Sequence, residues 1–374
     1  MAGFKMAHAR ASDWRRAARV CVDQLGDAGK EANLGFLYVT DSLAGDLSAV
    51  LTFLREASGI EDWVGTVGLG VCATGKEYFD EPALAVLAAA LPRGSFRVFP
   101  AISDSLDQFT SDNGEWIRQK QPAFGIVHGD PRNPRTPQIL DALADETRCF
   151  LVGGLTSSRE ASDHCVQIAG RVTDGGLSGV LFSPDVAVAT GLTQGCSPIG
   201  PPHTITKAQE NVLFTIDGRP ALEVLKEDMG ELLARDLGQA AGTIHAALPV
   251  VGSDTGDYLV RNLIGIDPES GWLAIGADVD PGQTVMFVRR DAQGAEDDLA
   301  RMLRGLKRRV GGAPRGGVYY SCVARGPNLF GENSEELGAI RRELGEFPIV
   351  GFFCNGEISH NRLYGYTGVL ALFL

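Results

Sequence analysis

The sequence lacks the short motifs that mark most metal sites and nucleotide enzymes. Its seven cysteines (Cys21, Cys72, Cys149, Cys165, Cys196, Cys322 and Cys354) include no CxxC pair, which excludes zinc ribbons and thioredoxin-like redox motifs. Its six histidines form no HExxH or HxH pair, so a metal site would need ligands brought together from across the fold. There is no Walker A loop, no GxGxxG after a strand, no GxSxG elbow and no kinase signature. These absences argue against the common nucleotide enzymes. No apolar run is long enough for a transmembrane helix, so no membrane association is expected. Basic charge is scarce: 34 Lys and Arg stand against 47 Asp and Glu, a net charge of −13. An acidic surface repels phosphate backbones, which argues against nucleic-acid binding. The first twenty residues have no apolar signal-peptide core, so a cytoplasmic chain with reduced thiols is expected.

Glycine, by contrast, is abundant, with 47 residues in 374. It follows no G-X-Y period and forms no Gly/Ser tract, so collagen and linker explanations fail. These glycines belong at turns and close backbone approaches.

Along the chain, apolar runs alternate with amphipathic segments. A first helix is expected within residues 1–30, where Asp13 and the amphipathic spacing of Trp14, Ala17, Ala18, Cys21, Val22 and Leu25 argue against a transit peptide. NLGFLYVT and Val64–Ala73 read as strands around a helix from Asp41 to Glu56. ALAVLAAAL and SFRVFPAI read as a hairpin about Pro92-Arg93-Gly94, and GLSGVLFS and VAVATGL as strands joined by Pro184-Asp185. GWLAIGADV and QTVMFVRR open a similar series in the second half. Both halves then read β-β-α-β-α-β-β, and CFLVGG matches PIVGFF. The expected class is α/β with mixed sheets, built as two similar halves by internal duplication, with strands covered by helices. The expected domains are 31–215 and 216–374.

Three glycine-punctuated segments carry the candidate chemistry. GLTQGCSPIGPP holds Gln194 and Cys196 in a stiff, tightly turned path. Cys196 is open to three roles: loop structure, pocket wall, or nucleophile if His203 supplied a base. GFFCNGEISH ends an apolar strand in Cys354, Asn355 and Glu357, and a carboxylate there can face a crevice. SCVARGPN presents Arg325, whose planar fork suits a carboxylate or phosphate. GGLTSS, with Gly154, Thr156, Ser157 and Ser158, is the first-half counterpart of FCNGE. HGDPR, with Asp130 and Arg132, is the counterpart of SCVAR.

At these residues the chain resembles the FIST family, named for F-box and intracellular signal transduction proteins. GCSPIGPPHTITKAQENVLFTIDGRPALEVL resembles the junction of the family's N-terminal and C-terminal domains. SCVAR, PIVGFFCNGEIS, LYGYTGVLALF and EPALAVLAAALP resemble further family segments. Cys354, Tyr364 and Ala324 depart from the residues common there, which are glycine or threonine, histidine, and glycine. The resemblance implies a sensory, non-enzymatic protein of signal transduction that binds a small ligand, with amino acids proposed. The ligand would sit between the halves against Gly154, Ser157, Ser158, Gln194, Cys196, Arg325, Cys354, Asn355 and Glu357. A separate signalling protein, such as a kinase, is the implied partner. No cofactor is expected; the alternative that the resemblance brings is a haem-based nitric-oxide sensor, with His128, His164 or His203 as axial ligand. A cysteine-dependent enzyme using Cys196 or Cys354 is a third expectation.

Overall fold

The strand Ala83–Ala89 shows how the chain builds its layers. Ala83, Ala85, Leu87 and Ala89 face one hydrophobic core, while Leu84, Val86 and Ala88 face another. Side chains alternate along a strand, so an unbroken apolar run has to be covered on both faces. The α/β class with mixed sheets follows. The structure, a computed structural model, describes residues 3–27, 31–159, 165–234, 242–253 and 256–374. Contacts divide the chain into one unit of residues 1–193 with 299–374 and another of residues 194–298.

The first unit repeats one plan three times. Module one runs β1 (Phe4–Arg10), α1 (Trp14–Leu25), β2 (Leu34–Thr40), α2 (Leu47–Ser58), β3 (Asp62–Gly68), a small hairpin of β4 (Gly70–Ala73) and β5 (Lys76–Phe79), then β6 (Ala83–Ala89). Module two runs β7 (Phe96–Ile102), α3 (Asp107–Lys120), β8 (Phe124–Gly129), α4 (Thr136–Thr147), β9 (Phe150–Leu155), a hairpin of β10 (Gln167–Ala169) and β11 (Arg171–Thr173), then β12 (Leu177–Phe182). Module three opens with β13 (Val188–Thr193).

The second unit follows in the chain, with β14 (Cys196–Pro198), β15 (His203–Gln209), β16 (Val212–Ile216), β17 (Arg219–Pro220), α5 (Ala221–Ala234), β18 (Ile244–Pro249), β19 (Tyr258–Ile266), β20 (Leu273–Ile275) and β21 (Thr284–Arg290). Module three then resumes with α6 (Ala292–Val310), β22 (Gly316–Cys322), α7 (Glu335–Leu344), β23 (Ile349–Cys354), a hairpin of β24 (Glu357–Ser359) and β25 (Arg362–Tyr364), and β26 (Gly368–Phe373).

The pairing is the same in every module. The strands β2 and β3, β8 and β9, and β22 and β23 run parallel. The closing strands β6, β12 and β26 lie antiparallel against the first member of each pair. The opening strands β1, β7 and β13 flank those closing strands. Each small hairpin joins another module's sheet: β4 pairs with β23, β10 with β3, and β24 with β9. This cyclic exchange locks the modules together. The inner faces of all three sheets share one core. The outer faces are covered by α1 and α2, by α3 and α4, and by α6 and α7.

The repeat is thus threefold, and the expected internal duplication is corrected. The suggested halves are modules two and three from α3 and α6 onward, and residues 4–89 are the third copy. GWLAIGADV and QTVMFVRR do not open module three; they belong to the second unit. The expected hairpin is corrected as well. The strands β6 and β7 lie in different sheets despite Pro92-Arg93-Gly94, as do β12 and β13 despite Pro184-Asp185. Turn residues redirect the chain, but face burial selects the pairing partner. The helix expected within residues 1–30 is α1, with Asp13 accepting the Arg15 N–H at 2.9 Å. It is preceded by β1, whose alternation rests largely on small alanines and gave little hydrophobic signal.

In the second unit β21, β15, β16, β20, β19 and β18 pair antiparallel in a closed ring. Closure leaves no free edge in that ring. Ile205, Leu213, Ile244, Ile275 and Phe287 fill its interior with Leu222, Val224 and Leu225 of α5.

Candidate functional site

One glycine in each module sets the geometry of the first unit. A β-carbon on Gly65, Gly153 or Gly351 would fall 1.8, 1.8 or 1.7 Å from the carbonyl oxygen of Leu37, Val127 or Tyr319. Only glycine admits that approach. Each glycine follows a valine (Val64, Val152, Val350), which marks equivalent positions. One residue beyond each facing carbonyl stand Tyr38, His128 and Tyr320. These three meet in the shared core. The Tyr38 hydroxyl lies 3.1 Å from His128 Nε2 and 3.0 Å from the Tyr320 hydroxyl. The three rings meet edge to face, and Phe352 stacks on Tyr38. Burial pulls the His128 imidazole down to about 3, so it is neutral.

Beyond this cluster the parallel strands end, and the loops that follow them line a cavity of about 270 Å³. Leu69 comes from module one, Pro131, Arg132, Thr156, Ser157, Ser158 and Cys165 from module two, and Val323 and Asn355 from module three. Carboxyl ends of parallel strands are where open α/β sheets bind ligands. Arg132 is held by Asp130, whose oxygens accept from its Nε and Nη2 at 2.9 and 2.6 Å. Burial pushes the Asp130 carboxyl up, but hydrogen bonds from Arg132 and Gly175 outweigh it and hold it below its ordinary value. Ser157 ties all three modules: its Oγ accepts the Leu69 N–H at 2.8 Å and donates to the Phe353 carbonyl. The Thr156 and Thr66 hydroxyls share a 2.6 Å hydrogen bond.

The structure brings several of the expected residues together. Ser157, Ser158 and Asn355 line the cavity. Gly154 lies just below it, where a β-carbon would fall 2.6 Å from Cys354 Sγ. Glu357 pairs in register with Gly154, two residues short of Thr156, and is fully buried. Its Oε2 accepts from the Thr367 N–H and hydroxyl at 3.0 and 2.8 Å. Burial pushes its carboxyl up to about 8.

Arg325 turns inward, fully buried, and its Nε donates to Glu336 at 2.8 Å. Glu336 also accepts from Tyr319, Ser321 and the Gly326 N–H, so this guanidinium is engaged in packing. Gln194 and Cys196 are fixed within the second unit. The Gln194 N–H donates to Asp298, and its side-chain amide donates to the Tyr258 carbonyl. Cys196 pairs with Arg290 in register, and its carbonyl accepts the Tyr258 hydroxyl.

Leu69, Cys165 and Val323 had no sequence signal, since an isolated apolar residue or thiol after a strand is unremarkable. The Tyr38, His128 and Tyr320 cluster had one: each is the fifth residue of its strand.

Two of the histidines named for haem do not fit that group. His128 is packed among aromatic rings with Nε2 on Tyr38. His203 has Asp217 at 2.7 Å on Nδ1 and Asp228 at 3.0 Å on Nε2. His164 lies outside the described residues. Among the described residues no group of three or more His, Cys, Asp or Glu is arranged to hold a metal ion. No helix among them is long and apolar enough to cross a membrane.

Comparison with known proteins agrees with the sequence resemblance. The FIST N domain model matches residues 33–219 and the FIST C domain model matches residues 221–360. An uncharacterized protein of Mycobacterium tuberculosis is 33% identical over 359 residues, covering 91% of this chain and 90% of the relative. An uncharacterized protein of Mycobacterium bovis is 30% identical over 384 residues, covering 97% and 96%. A solved structure, T. maritima PurL complexed with ADP, aligns at 10% identity over 99% of this chain and 71% of that one; its TM-score of 0.23 carries no argument. The matched models together span most of the chain, and the protein belongs to the FIST family.

Proposed function

We propose that this protein is a signal-transduction sensor that takes a small ligand, an amino acid or a similar metabolite, in the cavity where the three modules meet. FIST domains are sensory domains of signal transduction. One observation carries the choice of site: loops from all three modules line the cavity at the carboxyl ends of the parallel strands. A ligand there contacts every module at once and can bias how they pack.

The lining suits a small carboxylate. Arg132 supplies a cation with its side chain 37% exposed. Ser158 and Thr156 supply hydroxyls and Asn355 an amide. The volume is near the small end of ligand pockets, as an amino acid requires. The occupied state would be passed to a separate signalling protein such as a kinase.

A thermal-shift screen of amino acids and small carboxylates tests this proposal. A carboxylate ligand should raise the Tm, and Ser158→Ala with Asn355→Ala should weaken the shift, measured against that variant's own ligand-free Tm. A shift unchanged in that double variant would place the ligand elsewhere.

A further inference from the structure

Below the cavity two cysteines stand side by side. Cys322 ends β22 and Cys354 ends β23, and the two are register partners on adjacent parallel strands. Register partners of neighbouring strands point to the same face, with backbones about 4.8 Å apart. That spacing lies inside the Cα separation a disulfide spans, about 4.4–6.8 Å. The next residue on each strand, Val323 and Asn355, lines the cavity. Cys322 keeps 7% exposure, whereas Cys354 is fully buried.

A carboxyl completes the group. Glu357 is fully buried, its Oε2 is held by Thr367, and its carboxyl neighbours the Cys354 thiol closely enough to interact with it. The Cys354 thiol donates to the Ser321 carbonyl at 3.3 Å, which fixes it on this face.

We propose that Cys322 and Cys354 form an oxidisable dithiol site, with a hydroperoxide as oxidant and Glu357 as proton acceptor for the second step. Burial pushes the Cys322 thiol up as well, so hydrogen peroxide reaching it past Val323 oxidises it slowly, at the less buried of the two sulfurs. Its O–O bond breaks, Cys322 becomes a sulfenic acid, and one water leaves. Cys354 then gives its proton to Glu357 and attacks the Cys322 sulfur. The S–S bond forms, the S–O bond breaks, and the departing hydroxide takes the proton from Glu357 as a second water. Two thiols are oxidised and one peroxide is reduced. The Glu357 carboxyl keeps its own proton up to about 8, so this step runs on its deprotonated form, a stronger base than an ordinary carboxylate, and linkage should quicken as pH rises through about 8.

The test is peroxide treatment of the folded full-length chain, followed by alkylation and non-reducing peptide mapping with dimedone trapping. The expected product is a Cys322–Cys354 linked peptide. Cys354→Ser should leave dimedone-reactive sulfenic acid on Cys322. Cys322→Ser, or Cys322→Ala if the serine variant does not fold, should leave Cys354 unoxidised. Glu357→Gln should slow linkage by at least about tenfold while sulfenic acid accumulates. Failure to link at peroxide levels that oxidise the unfolded chain would overturn the proposal. So would oxidation of Cys354 without Cys322, or linkage at an equal rate in Glu357→Gln.

Discussion

Arg325 and Glu336 form an ion pair with both side chains fully buried, their Nη2 and Oε1 atoms 2.7 Å apart. Phe330 lies under the guanidinium, with its centroid 4.9 Å away. Breaking a buried pair strands a charge, so Arg325→Ala should cost about 3–5 kcal/mol in urea unfolding. The double variant Arg325→Met with Glu336→Leu should cost clearly less than the sum of the single changes. Additive losses would mean that the two residues are not coupled.

Gly153 cannot carry a side chain against the Val127 carbonyl. Gly153→Ala should destabilise by more than about 2 kcal/mol, and Gly65→Ala and Gly351→Ala should behave alike because the same approach occurs in all three modules. Denaturant midpoints for the three variants check this. A neutral result at one position would break the equivalence of its module.

His203 lies between two carboxylates. Burial pulls its imidazole down, but Asp217 and Asp228 outweigh that and raise it above its ordinary value. The stabilisation is fully present below about pH 6.5 and is lost as pH rises through the raised value. His203→Gln should lower the Tm at pH 5.5 by about 2–4 °C and change it little at high pH. Equal losses at both ends would show that charge is not the cause.

Glu357 and Glu77 act in the same direction. Burial pushes both carboxyls up, to about 8 and about 7. The folded chain keeps protons that the unfolded chain releases above the ordinary carboxyl range, so stability falls as pH rises from there toward 8. Glu357→Gln should flatten that fall, as measured by Tm between pH 5 and pH 8. A steeper fall would contradict the burial of an uncompensated carboxyl.

Strands, helices and the counterpart segments of modules two and three were legible in the sequence because apolar periodicity and Val-Gly words are local. Counting from Gly153 and Gly351, Thr156 and Ser157 fall at the positions of Cys354 and Asn355. The third copy was harder to see. Its hairpin and opening strand are alanine-rich or short, and the 194–298 insertion interrupts module three, so the local pattern shows only two copies. The hairpin exchange is invisible locally, since Val71, Gln167 and Glu357 occupy equivalent positions with unrelated side chains. Arg325 shows the same limit: sequence placed a cation after a strand, but only packing shows that Glu336 holds it.

A ligand in the cavity lined by Arg132, Ser158 and Asn355 is what makes this protein a sensor in the proposed reading. A crystal structure of the chain with a ligand from the thermal-shift screen is the most direct measurement. The ligand's carboxylate should lie against Arg132, with Ser158 and Asn355 in hydrogen-bonding contact. The same ligand bound elsewhere on the chain, with this cavity unchanged, would contradict it.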